Sequence, residues 1–279
     1  MTEKKLPLEL NKIHNFDCLD GFKKLEDNSI DLICTSPPYN VGIDYDTWND
    51  KMLMPDYYEW CKKWLSEAFR VLKKDGRIAI NIPYEINSQE RGGRVFFLSE
   101  YWQMMKEIGY MFFGMVDLEE KASHRVKRTA WGSWMSPSAP YIYNPKEAVI
   151  LAYKESYKKI EKGEAEWKGK SVEVIDKNGN IKTKIDFEKI DKDEFIELVF
   201  VPWKYQADVK SLTKATYSMD IPMKAIKILT YKNDIVLDPF SGSGTTAVAA
   251  KITGRNYIGF EISENYTKIA NNRVQSYMF

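Results

Sequence analysis

Two short stretches of the chain carry groups that could do chemistry on a bound molecule. The first, Ser36-Pro37-Pro38-Tyr39, ends a buried run over residues 31–36 that predicts a strand. The two prolines fix the backbone and lack N–H donors, so carbonyl acceptors remain beside the Ser36 hydroxyl and the Tyr39 ring. Such a turn suits a flat group that bears an NH2, although an isolated Pro-Pro-Tyr is more often an ordinary strand-ending turn.

The second stretch, Asp238–Thr246, is a glycine-rich turn between a predicted strand over 234–238 and a predicted helix over 245–252. Turns of this kind let a ligand approach backbone N–H groups closely. No Lys follows the last glycine, which disfavours a nucleoside triphosphate site, and Ala247 occupies the third place of the dinucleotide pattern. The turn therefore differs from both common phosphate-binding loops.

Acidic residues end the strands on either side of the helix after this turn. Asp238 ends the first strand, and Glu261 ends the next predicted strand, over 256–261, where a carboxylate suits a ribose diol. Two carboxylates and a glycine turn fit a ligand with a ribose and an ammonium group but no phosphate, such as S-adenosylmethionine. The alternative is a tight turn that only packs a helix on a sheet.

Taken together, the two motifs resemble those of the beta-class DNA amino-methyltransferases, which methylate an exocyclic base nitrogen with S-adenosylmethionine. The likeness covers roughly residues 11–155 and 205–275, with the catalytic motif first and the cofactor motif last. It implies an α/β fold, the Rossmann-like S-adenosylmethionine-dependent methyltransferase sheet, mostly parallel, with an inserted recognition region. The implied catalytic residues are Ser36, Pro37, Pro38 and Tyr39. The implied cofactor-binding residues are Asp17, Asp238, Phe240, Gly242, Gly244, Thr245 and Glu261.

The resemblance also implies a mechanism and a target. The Ser36 hydroxyl and the Pro37 carbonyl would hold the amino N–H groups of a base flipped out of the duplex, with Tyr39 stacked on it. Family members with Ser at the first catalytic position usually act on cytosine N4, and those with Asp on adenine N6. Cytosine is therefore favoured and adenine is the alternative. No metal is expected, and Cys18, Cys34 and Cys61 are interpreted as core residues.

Predicted helices and strands alternate along the chain and position these motifs. The patterns predict helices over 56–74, 94–108, 223–230 and from Ser263 to about Val274, and strands over 77–82, after an Asp75-Gly76 turn, and 110–118. Asn178-Gly179 predicts a hairpin between 172–176 and 181–185. We divide the chain into a catalytic half, 1–120, a target-recognition insertion, 121–204, and a cofactor-binding half, 205–279.

Charge is balanced over the 279 residues, at 41 basic against 40 acidic, so any contact with nucleic acid must come from a local patch. Residues 121–214 carry 19 basic and 14 acidic side chains, a net charge of +5. Within them, Lys121, Arg125, Lys127 and Arg128 are the candidate contacts to double-stranded DNA. A solvated surface loop is the equally weighted alternative.

Other protein classes are disfavoured. No apolar run approaches the roughly 18 residues of a membrane span, and no signal peptide is visible, so we expect a cytoplasmic protein. The resemblance adds a cognate restriction endonuclease and a homodimer as candidate partners. An RNA or protein amide methyltransferase, or a DNA-binding module with an inactive site, are the more distant alternatives.

Overall fold

A mixed sheet of eight strands forms the centre of the protein, as a computed structural model shows it. The structure describes residues 8–45, 47–88, 93–120, 146–166, 170–186, 192–200, 202–206 and 217–277. The strands are β1 (Lys12–Asn15), β2 (Ile30–Thr35), β3 (Leu72–Pro83), β4 (Ile86–Ser88), β5 (Gly93–Val95), β6 (Met111–Glu120), β7 (Glu147–Tyr153), β8 (Lys170–Ile175), β9 (Ile181–Asp186), β10 (Trp203–Tyr205), β11 (Ile235–Asp238) and β12 (Asn256–Glu261). The helices are α1 (Cys18–Lys23), α2 (Met54–Val71), α3 (Phe97–Ile108), α4 (Lys192–Val199), α5 (Asp220–Leu229), α6 (Thr245–Ile252) and α7 (Glu264–Ser276).

The order of strands in the large sheet is β1-β12-β11-β2-β3-β7-β6-β10. Only β7 runs against its neighbours; the other adjacent pairs are parallel. The strands β1, β12, β11 and β2 therefore present their carboxyl ends at one edge, which is where open α/β sheets bind ligands. Both motifs found in the sequence end strands of this group.

Helices cover the two faces of the sheet and form two apolar cores. On one side, α1, α2 and α3 pack against the sheet, and α2 buries Tyr57, Trp64 and Ala68 completely. On the other side lie α5, α6 and α7, which explains why α6 is apolar along most of its length. No helix in the described part of the chain is long and apolar enough to cross a membrane.

Most predicted elements are confirmed. The predicted bounds of α6 and β12 match the structure, Ser263 caps α7 by accepting a hydrogen bond from the Tyr266 N–H, and the hairpin forms as β8 and β9. The Asp75-Gly76 turn is wrong, because β3 begins at Leu72 and runs through it. The pairing with β2 is instead irregular at this point, and Gly76 lies too close to the Lys73 and Ile30 backbones to accept a side chain.

A buried carboxylate holds the opposite, amino-terminal edge of the sheet. Asp31, at 4% exposure, accepts hydrogen bonds from Lys73 Nζ at 2.9 Å and from the Ile235 N–H at 3.0 Å, with Lys159 Nζ at 3.4 Å. It thereby joins β2 to β11 and fixes the segment after β7. Removal of the carboxylate charge leaves Lys73 without this ion pair and Lys159 with Asp234 alone among the described residues, at 3.5 Å.

Asp31→Asn should therefore lower the free energy of unfolding by about 3 kcal/mol in urea denaturation. The matched control is Asp20→Asn, which removes an exposed ion pair with Lys23 and should leave the unfolding curve unchanged. An Asp31→Asn curve that overlays that of the wild type would contradict this role.

Candidate functional site

A cleft of about 870 Å³ opens at the carboxyl edge of the four neighbouring parallel strands. Its walls come from the strand ends, from the turns that follow them and from the loop before α2. Twenty residues line it: Phe16, Asp17, Cys18, Ser36, Pro38, Tyr45, Thr47, Trp48, Trp60, Tyr217, Pro239, Phe240, Ser241, Gly242, Ser243, Thr245, Phe260, Glu261, Ile262 and Tyr266. Residues from both sequence motifs thus share one cavity, although about 200 positions separate them in the chain.

Hydrogen bonds and ring packing fix the turn after β2. The Tyr57 hydroxyl donates a hydrogen bond of 2.7 Å to the Pro38 carbonyl, and Ser36 Oγ lies 2.7 Å from the Tyr39 hydroxyl. The Tyr39 ring meets the Phe97 ring edge to face, with centroids 6.3 Å apart. Ser36 and Pro38 line the cleft, whereas Pro37 and Tyr39 do not.

Asp50 shapes the loop that follows this turn. It is almost fully buried, and its carboxylate accepts four backbone N–H groups, from Asn40, Val41, Gly42 and Ile43, at 2.9–3.0 Å. Four charge-assisted bonds to one side chain fix the path of the loop. The loop continues through Tyr45, Thr47 and Trp48, which reach the cleft.

The turn after β11 is tied to β2 by a buried hydrogen bond. Thr35 Oγ1 donates to Asp238 Oδ1 at 2.7 Å, and the Phe240 N–H donates to the same oxygen at 3.1 Å. Burial raises the pKa of Asp238, against the hydrogen bonds from Thr35 and Phe240, which lower it. Its second oxygen, Oδ2, has no donor among the described residues.

Glu261 holds the glycine turn from the neighbouring strand. Its two carboxylate oxygens accept the Gly242 N–H at 2.8 Å and the Ser263 N–H at 2.9 Å. Gly242 and Gly244 both have positive φ, 49° and 78°, a conformation that costs glycine little. A carboxylate offers about four acceptor sites, so Glu261 can bind the N–H groups of both turns at once.

Asp17, just after the end of β1, is the second carboxylate that lines the cleft, with Glu261. It caps α1, and its Oδ1 accepts the Leu19 N–H at 2.9 Å. Aromatic rings form the facing wall: Trp60 lies between Trp48 and Phe240, with ring centroids 4.7 and 5.6 Å away. The cleft therefore combines acceptors for N–H and O–H donors with aromatic faces that attract cations.

Comparisons with known proteins identify the class. The family model described as DNA methylase matches residues 30–272, so the chain belongs to this family, that of the beta-class DNA amino-methyltransferases. A curated relative, the type II methyltransferase M.MjaVI of Methanocaldococcus jannaschii, is 42% identical over 159 residues, which is 56% of this chain and 79% of that protein.

Solved structures share the fold over nearly the whole chain. TTHA0409 of Thermus thermophilus in complex with S-adenosyl-L-methionine has a TM-score of 0.66 at 19% identity, over 95% of this chain and 93% of that one. The cytosine-N4-specific PvuII DNA methyltransferase has a TM-score of 0.63 at 16% identity, over 97% and 92%. The predicted α/β methyltransferase fold is thereby confirmed.

S-adenosylmethionine is the cofactor of this class, and the cleft fits it. The molecule offers amino, hydroxyl and ammonium donors together with a cationic sulfonium. The buried Asp238 Oδ2, which lacks a donor among the described residues, and the carboxylates of Asp17 and Glu261 can accept hydrogen bonds from donor groups on such a ligand. The aromatic rings of the cleft can attract its positive charge.

The residues proposed from sequence fall into three groups. Seven line the cleft: Asp17, Ser36, Pro38, Phe240, Gly242, Thr245 and Glu261. Four lie in the same turns without being among the lining residues: Pro37, Tyr39, Asp238 and Gly244. The proposed DNA contacts Lys121, Arg125, Lys127 and Arg128 lie outside the described residues. Their role and the three-part division of the chain stay predictions.

Several of the lining residues are not identified from the sequence alone. Tyr45, Trp48 and Tyr266 come from loops and a helix with no recognisable motif, and Trp60 reads only as part of an apolar helical stripe. Tyr217 lies just before α5, and its hydroxyl is hydrogen-bonded to Thr246 Oγ1. A high share of aromatic residues near the motifs was the one available signal.

Gly259 tests how closely the glycine turn must pack. A Cβ atom there would lie 2.3 Å from Ser241 Oγ and 2.8 Å from Ile13 Cγ1, so an added methyl must displace the turn. Gly259→Ala should weaken S-adenosylmethionine binding by roughly tenfold in calorimetry, the effect of about one lost hydrogen bond. Gly114→Ala is the control, because its Cβ meets no atom within 4 Å. Equal affinities for both variants would contradict the packing argument.

Proposed function

We propose that the protein is a site-specific methyltransferase that modifies the exocyclic N4 of a cytosine flipped out of duplex DNA. The observation that carries the proposal is the position of Ser36 in the same cleft as the Asp17 and Glu261 carboxylates. An acceptor for an amino group thereby faces the place suited to the methyl donor. The choice of cytosine rests on Ser36, since family members with Asp at this position usually act on adenine N6.

The chemical task is to make a poor nucleophile react. The lone pair of an amino group on an aromatic base is delocalised into the ring. Acceptors at Ser36 Oγ and at the Pro37 carbonyl hold both N–H groups, favour a tetrahedral nitrogen and stabilise the positive charge that develops on it. When bound, S-adenosylmethionine supplies a sulfonium methyl group, which the nitrogen takes up as it releases one proton to solvent.

The position of Ser36 in a cleft supports a base that leaves the helix. Ser36 lies in a cleft at the sheet edge, and a base stacked within a duplex cannot reach such a position. In this proposal the Tyr39 ring stacks on the extruded base. Arg and Lys side chains between 121 and 128 contact the phosphates and bases of the surrounding duplex.

The proposal extends to a biological setting. M.MjaVI bears the name of a type II methyltransferase, which supports a role of this chain in a restriction-modification system. A cognate endonuclease would then recognise the same DNA sequence, and both proteins would work in the cytoplasm. A homodimer is part of the same proposal, by resemblance to the class.

Expression in a host that lacks DNA methylation tests the proposal. Genomic DNA is digested to nucleosides and analysed by mass spectrometry, with Ser36→Ala as the matched variant. The expected result is N4-methylcytosine with the wild type and a strongly reduced amount with the variant. N6-methyladenine would overturn the choice of base and keep the site.

A negative result in this experiment leads to assays that separate the remaining alternatives. A folded protein that binds S-adenosylmethionine but yields neither methylated base would overturn the proposed function. Methyl transfer to RNA or to a protein amide in a competition assay would then identify another substrate. Binding without turnover on any of these would identify an inactive DNA-binding module.

A further inference from the structure

A partly buried chain of polar groups extends from Ser36 through Tyr39 and Asn81 to Glu147. Ser36 Oγ is 2.7 Å from the Tyr39 hydroxyl. That hydroxyl is 3.1 Å from the backbone carbonyl oxygen of Asn81 and 3.0 Å from its side-chain Nδ2. Asn81 Nδ2 also donates to Glu147 Oε2 at 2.7 Å. Stacking of Tyr39 on a base would use the ring alone, and nothing in the proposed mechanism uses these polar contacts.

The orientation of the Asn81 amide follows from its neighbours. Nδ2 has two acceptors, Tyr39 and Glu147, while Oδ1 has no donor among the described residues. The reverse orientation would place the amide oxygen against the Glu147 carboxylate, so that two acceptors would face each other. One N–H of Asn81 is therefore directed at the Tyr39 oxygen.

The hydrogen of Tyr39 is assigned by the same reasoning. A phenol hydroxyl has one hydrogen, and the backbone carbonyl of Asn81 can only accept. The contact between them therefore needs the hydroxyl hydrogen of Tyr39. Burial and the nearby Glu147 carboxylate raise the pKa of Tyr39 well above its ordinary value, which keeps that hydrogen in place. The remaining contact, between Tyr39 and Ser36, is then filled by the hydrogen of Ser36.

We propose that the Tyr39 hydroxyl, anchored by Asn81, is a positioning group that takes the hydrogen of Ser36 and so leaves the Ser36 lone pairs for the substrate amine. The inference rests on the proposed function, because it treats Ser36 as the acceptor of an amino N–H. A carboxylate in the place of Ser36 would only accept, whereas a hydroxyl can also donate. If the Ser36 hydrogen were directed into the cleft, it would face the substrate N–H, and two donors would meet without an acceptor.

The kinetic test uses Tyr39→Phe, which keeps the ring and removes the hydroxyl. The single-turnover rate of methyl transfer to duplex DNA should fall roughly tenfold, the effect of one lost hydrogen bond, with unchanged affinity for S-adenosylmethionine and DNA. In a Ser36→Ala background the same substitution should cause no further loss, because the group that Tyr39 orients is gone. Equal losses in both backgrounds would overturn the proposal.

Tyr110→Phe is the matched control. Tyr110 is also buried, and its hydroxyl donates to a backbone carbonyl, that of Leu65, at 2.9 Å. Its loss should lower the melting temperature about as much as Tyr39→Phe does and leave the transfer rate unchanged. A rate that falls equally in both variants would mean that the Tyr39 hydroxyl acts only through stability, which would overturn the proposal.

Neutron diffraction from crystals exchanged into D2O tests the hydrogen positions without any activity measurement. The expected map has the Tyr39 deuterium directed at the Asn81 carbonyl and the Ser36 deuterium directed at Tyr39. A Tyr39 deuterium directed at Ser36 would overturn the inference. A wild-type protein that methylates no base would refute the proposed function, and the map would still decide this inference separately.

Discussion

The hydrogen bond between Thr35 Oγ1 and Asp238 Oδ1 joins the two halves of the site. Thr35 ends β2, just before the Ser36 turn, and Asp238 ends β11, just before the glycine turn. Both side chains are buried, so water does not compete for the bond. The relative position of the acceptor turn and the cofactor turn depends on this contact.

The parallel sheet makes that contact available. The strands β1, β12, β11 and β2 end at one edge, so side chains from two distant parts of the chain converge without long loops. Asp17, Glu261 and Asp238 then lie at the same edge of the sheet, and they accept the backbone N–H groups of Leu19, Gly242 and Phe240, respectively. This arrangement holds the carboxylates in place and leaves acceptor capacity for a ligand that is rich in donors.

The strand ends and the glycine turn could be predicted from sequence because local rules govern them. Buried apolar runs, glycines with positive φ and Ser263 as a helix cap each leave a short signal. The aromatic wall could not be predicted, since Trp48 reaches the cleft only through a loop folded around the Asp50 carboxylate. The turn predicted at Asp75-Gly76 is found instead as an irregularity within β3, where the register against β2 passes directly from Leu72 to Arg77.

Thr35→Val tests the central claim, that one buried bond aligns the two motifs. Valine keeps the shape of the side chain and removes the donor, which leaves Asp238 Oδ1 with the Phe240 N–H and with no hydroxyl from β2. S-adenosylmethionine affinity and the single-turnover rate of methyl transfer should be measured on the same folded preparation. The account predicts that both fall, each by roughly tenfold or more. Wild-type values for both would contradict it.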